Sequence, residues 1–346
     1  MKRSLSLLFK YIASACLLLL LSNVSFATSK IDTIYFQDGD RITGEVKSLD
    51  HNMLNLSTDD SGTIHIEWSK IDSVHIKNPM RIILSDGHIM FGILKPSGKV
   101  GSCIIEEEAG TKDTIRLWSI VELTPLEKRF IDRVSGTVSS GYSYVKASDV
   151  TKLDFAGNLK YRGEKVIIQV DYNVVLTKES IGTTQRQSGG ASLYRVLPKN
   201  WSIHGAALAE SNTYFELDLR TSVALGPTYF LIRNNKQDLS AGLGITANTE
   251  YSGELVRDNF EGLIQFNYML FLFDSPEVSI NVKANLIPGI SEPGRFRNEI
   301  DANIKWEAFH DFFLKFTYYN SFDNEPLSGI NAGHDWGNTI GLEYKF

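Results

Sequence analysis

From Arg133 to Phe346 the chain alternates between apolar and polar residues, stretch after stretch. Val166, Ile168, Val170, Tyr172, Val174 and Leu176 fall on one side of such a stretch, with Gln169, Asp171 and Asn173 on the other. Phe260, Gly262, Ile264, Phe266, Tyr268, Leu270 and Leu272 oppose Glu261, Gln265 and Asn267. Ile280, Val282, Ala284 and Leu286 oppose Ser279, Asn281, Lys283 and Asn285, and Ile300, Ala302, Ile304 and Trp306 oppose Glu299, Asp301, Asn303 and Lys305. Phe312, Leu314, Phe316 and Tyr318 oppose Lys315 and Thr317. A period of two is the signature of strands with two different environments. The rhythm predicts about 12 strands, an even number. Turns at Gly163-Glu164, Pro198–Asn200, Asn234–Gln237 and Asp274–Pro276 read as tight. Between them, Lys178–Ser188, Thr249–Asn259, Pro288–Arg295 and Phe322–His334 read as longer connections.

Alternation alone does not say which face meets solvent. In a soluble sandwich the apolar face points into a core; in a membrane barrel it points to lipid and the polar face fills the lumen. The last stretch bears on the choice. Ile340, Leu342, Tyr344 and Phe346 alternate with Thr339, Gly341, Glu343 and Lys345. This stretch resembles the closing strand of bacterial outer-membrane β-barrels, whose terminal aromatic residue is read by the barrel-assembly machinery. Short turns on one side and longer loops on the other fit the same arrangement, and a closed barrel leaves no backbone groups unpaired in lipid. Tyr142, Tyr144, Tyr161, Trp201, Tyr229, Trp306, Tyr318 and Tyr344, near strand ends, suit interfacial belts. The polar face carries both signs of charge, with Asp171, His204, Glu216, Asp218, Arg220, Asp301, Lys305 and Glu343 as its candidate lumen residues.

Before this region one pattern is written twice. Ile34–Gly44 and Ile82–Gly92 each read as strand, Asp-Gly turn (Asp38-Gly39, Asp86-Gly87), and a strand carrying a glycine. Each copy is expected to close on a strand containing Trp-Ser, Ile66–Ile71 and Ile115–Ile120. The expected organisation is two copies of a small, curved, SH3-like or Sm-like β-module, at 28–78 and 79–125, a connector at 126–132, and the barrel at 133–346. Glu106-Glu107-Glu108 and the absence of a Lys/Arg cluster interleaved with aromatics argue against nucleic acid. A contact with a periplasmic protein or the cell wall is the sharper alternative to simple packing on the barrel.

Lys2, Arg3 and Lys10 precede and flank an apolar run, Tyr11–Leu21, followed by Ser25-Phe26-Ala27. This is the pattern of a secretory leader cleaved after Ala27, and the run is short for a membrane span of about 20 residues. Its removal takes three positive charges and moves the formal net charge from -6 to about -9. Cys103 is then the one cysteine left, so no internal disulfide is expected, and its apolar surroundings mark it as a small buried side chain.

The stretches Asp38–Val46 and Ile64–Lys70, with Tyr161–Gly163, Leu217–Arg220 and Leu342–Phe346, resemble the YdiY-like proteins described as salt-induced outer-membrane proteins. The resemblance implies a barrel in the outer membrane of a Gram-negative bacterium and a link to salt stress. It supplies no catalytic residues.

Barrel enzymes need a nucleophile, a base and an orienting group at one rim. His204, with Ser202 and Ser211 nearby, is the candidate, but no motif ties it to a reaction, and His310 and His334-Asp335 fall in a turn and a loop. His51, His65, His75 and His88 are scattered and lack cysteine partners, so no metal or cofactor is expected. The expectation is a non-enzymatic outer-membrane barrel, embedded in lipid, acting in envelope integrity or osmotic adaptation. A narrow pore or transporter for small polar solutes is the alternative, and a lipid hydrolase the third reading.

Overall fold

The computed structural model describes residues 32–107, 109–126, 133–146, 149–163, 165–179, 182–213, 216–327 and 333–344. The leader expected at 1–27, Glu108, most of the expected connector and Phe346 lie outside these residues. The described chain is almost entirely β-strand and forms two sheets.

The N-terminal sheet has nine strands: β1 (Asp32–Phe36), β2 (Arg41–Asp50), β3 (Met53–Thr58), β4 (Gly62–Glu67), β5 (Ile71–Leu84), β6 (Ile89–Pro96), β7 (Ser102–Glu107), β8 (Lys112–Arg116) and β9 (Ile120–Pro125). The written duplication is a structural one. In the first copy β1 is flanked by β2 and β5, and a single 3-10 turn, Trp68–Lys70, leads into β5. In the second copy β5 is flanked by β6 and β9, and a 3-10 turn, Leu117–Ser119, leads into β9. The closing strand of the first copy thus runs on as the opening strand of the second. The boundary expected at 78/79 lies inside β5, whose pairing slips between Ile76 and Met80, around Pro79. Proline has no N–H to give to a ladder, so it sits at the irregularity. Gly44 and Gly92 hold equivalent places, where a Cβ would come within 2.7 Å of Ser57 O and 2.4 Å of Glu106 O.

The two copies share one core. Ile34, Leu54, Leu56 and Val74 from the first pack with Ile82, Leu94, Ile105 and Leu123 from the second. A copy of about 45 residues buries too little apolar surface to stand alone, and fusing two halves removes that deficit. Cys103 lies in this core, where burial pushes its thiol up to about 12. The Trp-Ser pairs fall in the 3-10 turns, not in strands, and they are not equivalent. Trp68 is buried and donates from Nε1 to Leu117 O at 2.7 Å, whereas Leu117 takes the matching place in the second copy and Trp118 points outward, 60% exposed.

The C-terminal sheet has twelve strands: β10 (Val134–Val145), β11 (Val150–Arg162), β12 (Val166–Glu179), β13 (Gly182–Val196), β14 (Trp201–Asn212), β15 (Leu217–Arg233), β16 (Gln237–Ser252), β17 (Leu255–Leu272), β18 (Val278–Pro288), β19 (Phe296–Phe309), β20 (Phe312–Asp323) and β21 (Gly333–Tyr344). They pair in chain order, each antiparallel to the next. No ladder joins β10 to β21 among the described residues. The tight turns stand where the alternation put them. Two of the long connections do not: β12 runs to Glu179 and β13 begins at Gly182, and β16 reaches Ser252 with β17 starting at Leu255. In 178–188 both faces are polar, and in 249–259 Tyr251, Leu255 and Val256 are set around Gly253 among charged residues, so the contrast between faces weakens while the backbone ladder goes on.

The module sits on the tight-turn end of this sheet. Lys199 N donates to Gly87 O at 3.1 Å, Arg81 to Gly163 O at 3.2 Å, and Asn235 to Trp118 O and Ile120 O at 2.9 Å. Glu122 accepts from Arg233 at 2.7 Å, and Lys70 pairs with Asp274. Four successive tight turns, after β11, β13, β15 and β17, therefore carry the module.

Candidate functional site

The register of the twelve strands makes one continuous polar face. Asn158, Asp171, Gly190 and Leu208 stand side by side on β11 to β14, and the row continues through Ser222, Asn248 and Asn259. Further on, Gln265, Asn285, Glu299, Ser321 and Asp335 form a second row across β17 to β21. The polar face is the more enclosed one: Thr246, Asn248, Glu250, Asn259, Glu261 and Arg297 are buried. The apolar face is open, with Val223, Leu225, Leu243, Ile245, Phe266, Ile340 and Leu342 all exposed. This sheet is inside out with respect to a soluble core.

The enclosed charges gather at the end away from the module. Glu250, near the end of β16, is 0% exposed and accepts from Arg220 at 2.9 Å, Arg257 at 2.8 Å and Arg295 at 2.9 Å. Arg295, just before β19, also donates to Asp323 at 2.7 Å. Arg220 reaches Glu210 at 2.7 Å, and Arg297 binds Glu261 at 3.0 and 2.5 Å. Asn259 donates to Asn248, which donates to Glu261. The cluster ties β14, β15, β16, β17, β19 and β20 together. Desolvated charges are tolerable only when paired and hydrogen-bonded in this way. The loop after β18 is drawn inward with them: Ile290 N donates to Phe260 O, and Gly289 N to Arg295 O.

Of the residues expected on the polar face, Asp171, His204, Arg220, Asp301, Lys305 and Glu343 share its register, Asp218 falls at the irregularity where β14 and β15 slip, and Glu216 stands in the connection before β15. They do not form one site. Arg220 belongs to the charged cluster, while Lys305 and Lys315 pair with Glu343 near the module end. Asp218 accepts from Gly253 N at 2.7 Å, and Asp171 accepts from Asn158 and Gln169. His204 stacks on Tyr194, ring centroids 4.2 Å apart. Ile340, Leu342 and Tyr344 line the open apolar face of β21. Glu261 was already on the polar face in the sequence pattern, but Glu250 and Arg295, its partners at the centre of the cluster, were hidden to sequence reasoning because 249–259 and 288–295 read as loops, and Arg297 stood just beyond the second of these. Their parity was the available signal: Glu250 continues Thr246 and Asn248, and Arg297 precedes Glu299 and Asp301 by even steps.

His310 and Asp311 lie beside Glu307 in the turn between β19 and β20. The Glu307 carboxylate already accepts from Glu277 N at 2.7 Å and Asp311 N at 3.1 Å, which accounts for its place there.

An all-antiparallel, inside-out sheet of twelve strands with a small β-module on its turn side defines the class as barrel-like. The sequence profile of the family described as a protein of unknown function, DUF481, matches residues 138–346, and the chain belongs to that family. The match begins within β10, so the module lies outside it. No curated protein and no solved structure matches the chain.

Proposed function

We propose that the protein is a non-enzymatic outer-membrane β-barrel of the Gram-negative envelope, carrying a periplasmic module and serving envelope integrity under salt or osmotic stress. The observation that carries this reading is the reversed sheet, apolar side out and ion-paired side in. In water, an apolar face spread over twelve strands would far exceed the few hundred Å² that soluble monomers leave exposed. In lipid the same face is satisfied. The strands are 11 to 18 residues long, and a tilted membrane strand needs about 9–11. With an even number of strands, β10 and β21 run antiparallel, so pairing their free edges would close an all-antiparallel barrel without changing any other pair. Trp201 and Tyr229, centroids 4.9 Å apart beside the module, suit one interfacial belt, and Tyr142 and Trp336 the other.

The leader at 1–27 would export the chain, and the closing strand, Ile340 to Phe346, would present it to the barrel-assembly machinery. The module would then hang on the periplasmic side, because it sits at the short turns.

A narrow pore is the second reading. It is favoured by the small side chains on the polar face of β10 to β14, where Ser139, Asn158, Ser188, Gly190, Ser192 and Ala206 line a cleft of about 410 Å³. The two readings separate in cells and in bilayers. A deletion strain that grows poorly in high salt, with a purified protein that shows no conductance, supports the structural role. Stepwise conductance favours the pore. A protein recovered in the soluble periplasmic fraction contradicts both.

A further inference from the structure

Between the module and the sheet lies a second cleft, of about 580 Å³, within the roughly 300–1,000 Å³ of small-molecule sites. Its floor is the 3-10 turn at Trp68–Lys70 with Asn52; one wall is Trp118 and the other is the turn after β17, Phe271 to Pro276. Such junctions between two bodies are favoured places for ligands.

The unmatched polar atoms in this cleft are of one kind. Asn52 is 7% exposed; its Nδ2 reaches Ser69 Oγ at 3.5 Å, but its Oδ1 is buried with no hydrogen-bond partner. Asn235 spends Nδ2 on Trp118 O and Ile120 O, and its Oδ1 is likewise buried and unpartnered. Glu67 Oε2 is buried without a hydrogen bond, its nearest cation being Lys70 at 3.9 Å. A buried acceptor left unmatched costs about 1–3 kcal/mol, so three together call for a partner that brings donors. Both signs of charge line the cleft, Lys236 and Glu67 among them, and Asp274 is taken by Lys70. A neutral, donor-rich ligand fits better than an ion. Beside the acceptors stands the ring of Trp118, 60% exposed and fixed through its carbonyl by Asn235.

We propose that this cleft binds a neutral saccharide, its hydroxyls donating to the Asn52, Asn235 and Glu67 oxygens and one sugar ring lying on Trp118. The duplicated module explains why the feature exists on one side only. The first copy spends its tryptophan, Trp68, on the core, while the second fills that place with Leu117 and leaves Trp118 to line the cleft, with the Arg116 guanidinium 5.6 Å from its ring centroid. The inference stands apart from the membrane reading, since the cleft is built in either a detergent-bound or a soluble protein.

The test is titration of the full-length protein, in mild detergent, with chitotetraose and maltotetraose, followed by calorimetry and tryptophan fluorescence. The first probe carries the N-acetyl groups of wall glycan and the second does not, so their ranking separates a wall source from other envelope sugars. Binding of either is expected, weakened about tenfold by Trp118→Ala and less by Trp118→Phe. Asn52→Gly, which keeps the backbone freedom required at φ 61, is expected to weaken it as well. Trp118 is exposed, so its loss leaves the fold intact, checked by an unchanged thermal transition. No binding at millimolar sugar, binding indifferent to both substitutions, or preferential binding of a hexa-arginine peptide in place of the sugars would overturn the proposal.

Discussion

Glu122 of the N-terminal module accepts a hydrogen bond from Arg233, the last residue of β15, at 2.7 Å. Its other oxygen accepts from Arg81 at 2.5 Å, and Arg81, 1% exposed, also reaches Gly163 O across the junction. One carboxylate thus joins two arginines from the two sheets. Removing it leaves both guanidiniums in a desolvated place, and breaking a buried pair costs about 3–5 kcal/mol. Glu122→Ala is expected to release the module while both sheets stay folded. Hydrogen exchange reads this directly: amides at the turns 197–200 and 270–275 should lose protection, and those of β3 and β7 should not.

The two Asp-Gly turns make a paired experiment. Gly39 and Gly87 both have positive φ, +91° and +81°, so alanine strains either by about 1–2 kcal/mol. They differ in their surroundings. A Cβ on Gly39 would meet nothing within 4 Å, whereas one on Gly87 would stand 2.2 Å from Asn200 N. Gly87→Ala is therefore expected to expose the Lys199 amide, and Gly39→Ala to leave it protected while lowering the melting temperature by a similar local amount.

His51 gives the junction a pH dependence. The ring lies between Asp50, at 3.2 Å, and Asp238, at 3.5 Å, edge-on to Phe271. Burial works to lower its pKa, but the hydrogen bond and charge of Asp50, with the charge of Asp238, outweigh burial and the nearby Arg233, and the pKa is raised above 6.5. A group with a raised folded pKa contributes stability fully below its unfolded value and loses it as pH rises through the folded value. The stability this group adds is expected to be greatest at mildly acidic pH and to fall toward alkaline pH. His51→Asn tolerates the positive φ of 48° and is expected to flatten that dependence, read by the same exchange measurement.

At the opposite end, Arg295 is the most demanding member of the charged cluster. It is fully enclosed and serves Glu250 and Asp323 together. Arg295→Ala is expected to destabilise the sheet by about 3–5 kcal/mol. Arg295→Lys should recover only part of this, because a single ammonium cannot reproduce the planar fork. Thermal unfolding of the detergent-solubilised protein measures both.

How much of this was legible in the sequence follows from what side chains report. Period-two alternation is set by the two faces of a strand, so Phe260–Leu272 and Ile300–Trp306 could be assigned to strands and faces from the residues alone. The four tight turns were legible for the same reason. The ends of β12 and β13 were not, because both faces there are polar, and those of β16 and β17 were not, because Gly253 and its charged neighbours break the alternation around Tyr251, Leu255 and Val256. Glu250 was missed for that reason, and Arg295 because it does stand in a connection, between β18 and β19. The duplication was legible from Asp38-Gly39 and Asp86-Gly87, but the exchange of roles between Trp68 and Trp118 was not. It depends on a one-residue offset: Trp68 stands three places before Ile71, while Leu117, not Trp118, stands three before Ile120. The junction itself has no sequence signal, because Glu122 and Arg233 are far apart in the chain and singly unremarkable.

The central claim is that the inside-out sheet closes in a membrane. The most direct measurement is migration of the purified full-length protein on a denaturing gel, with and without boiling, after extraction from outer-membrane fractions in mild detergent. A closed barrel resists the detergent until heated, so the account predicts two positions, a compact unboiled form and a slower boiled one, with both found in the outer membrane. One position under both conditions, with the protein in the soluble fraction, would contradict it.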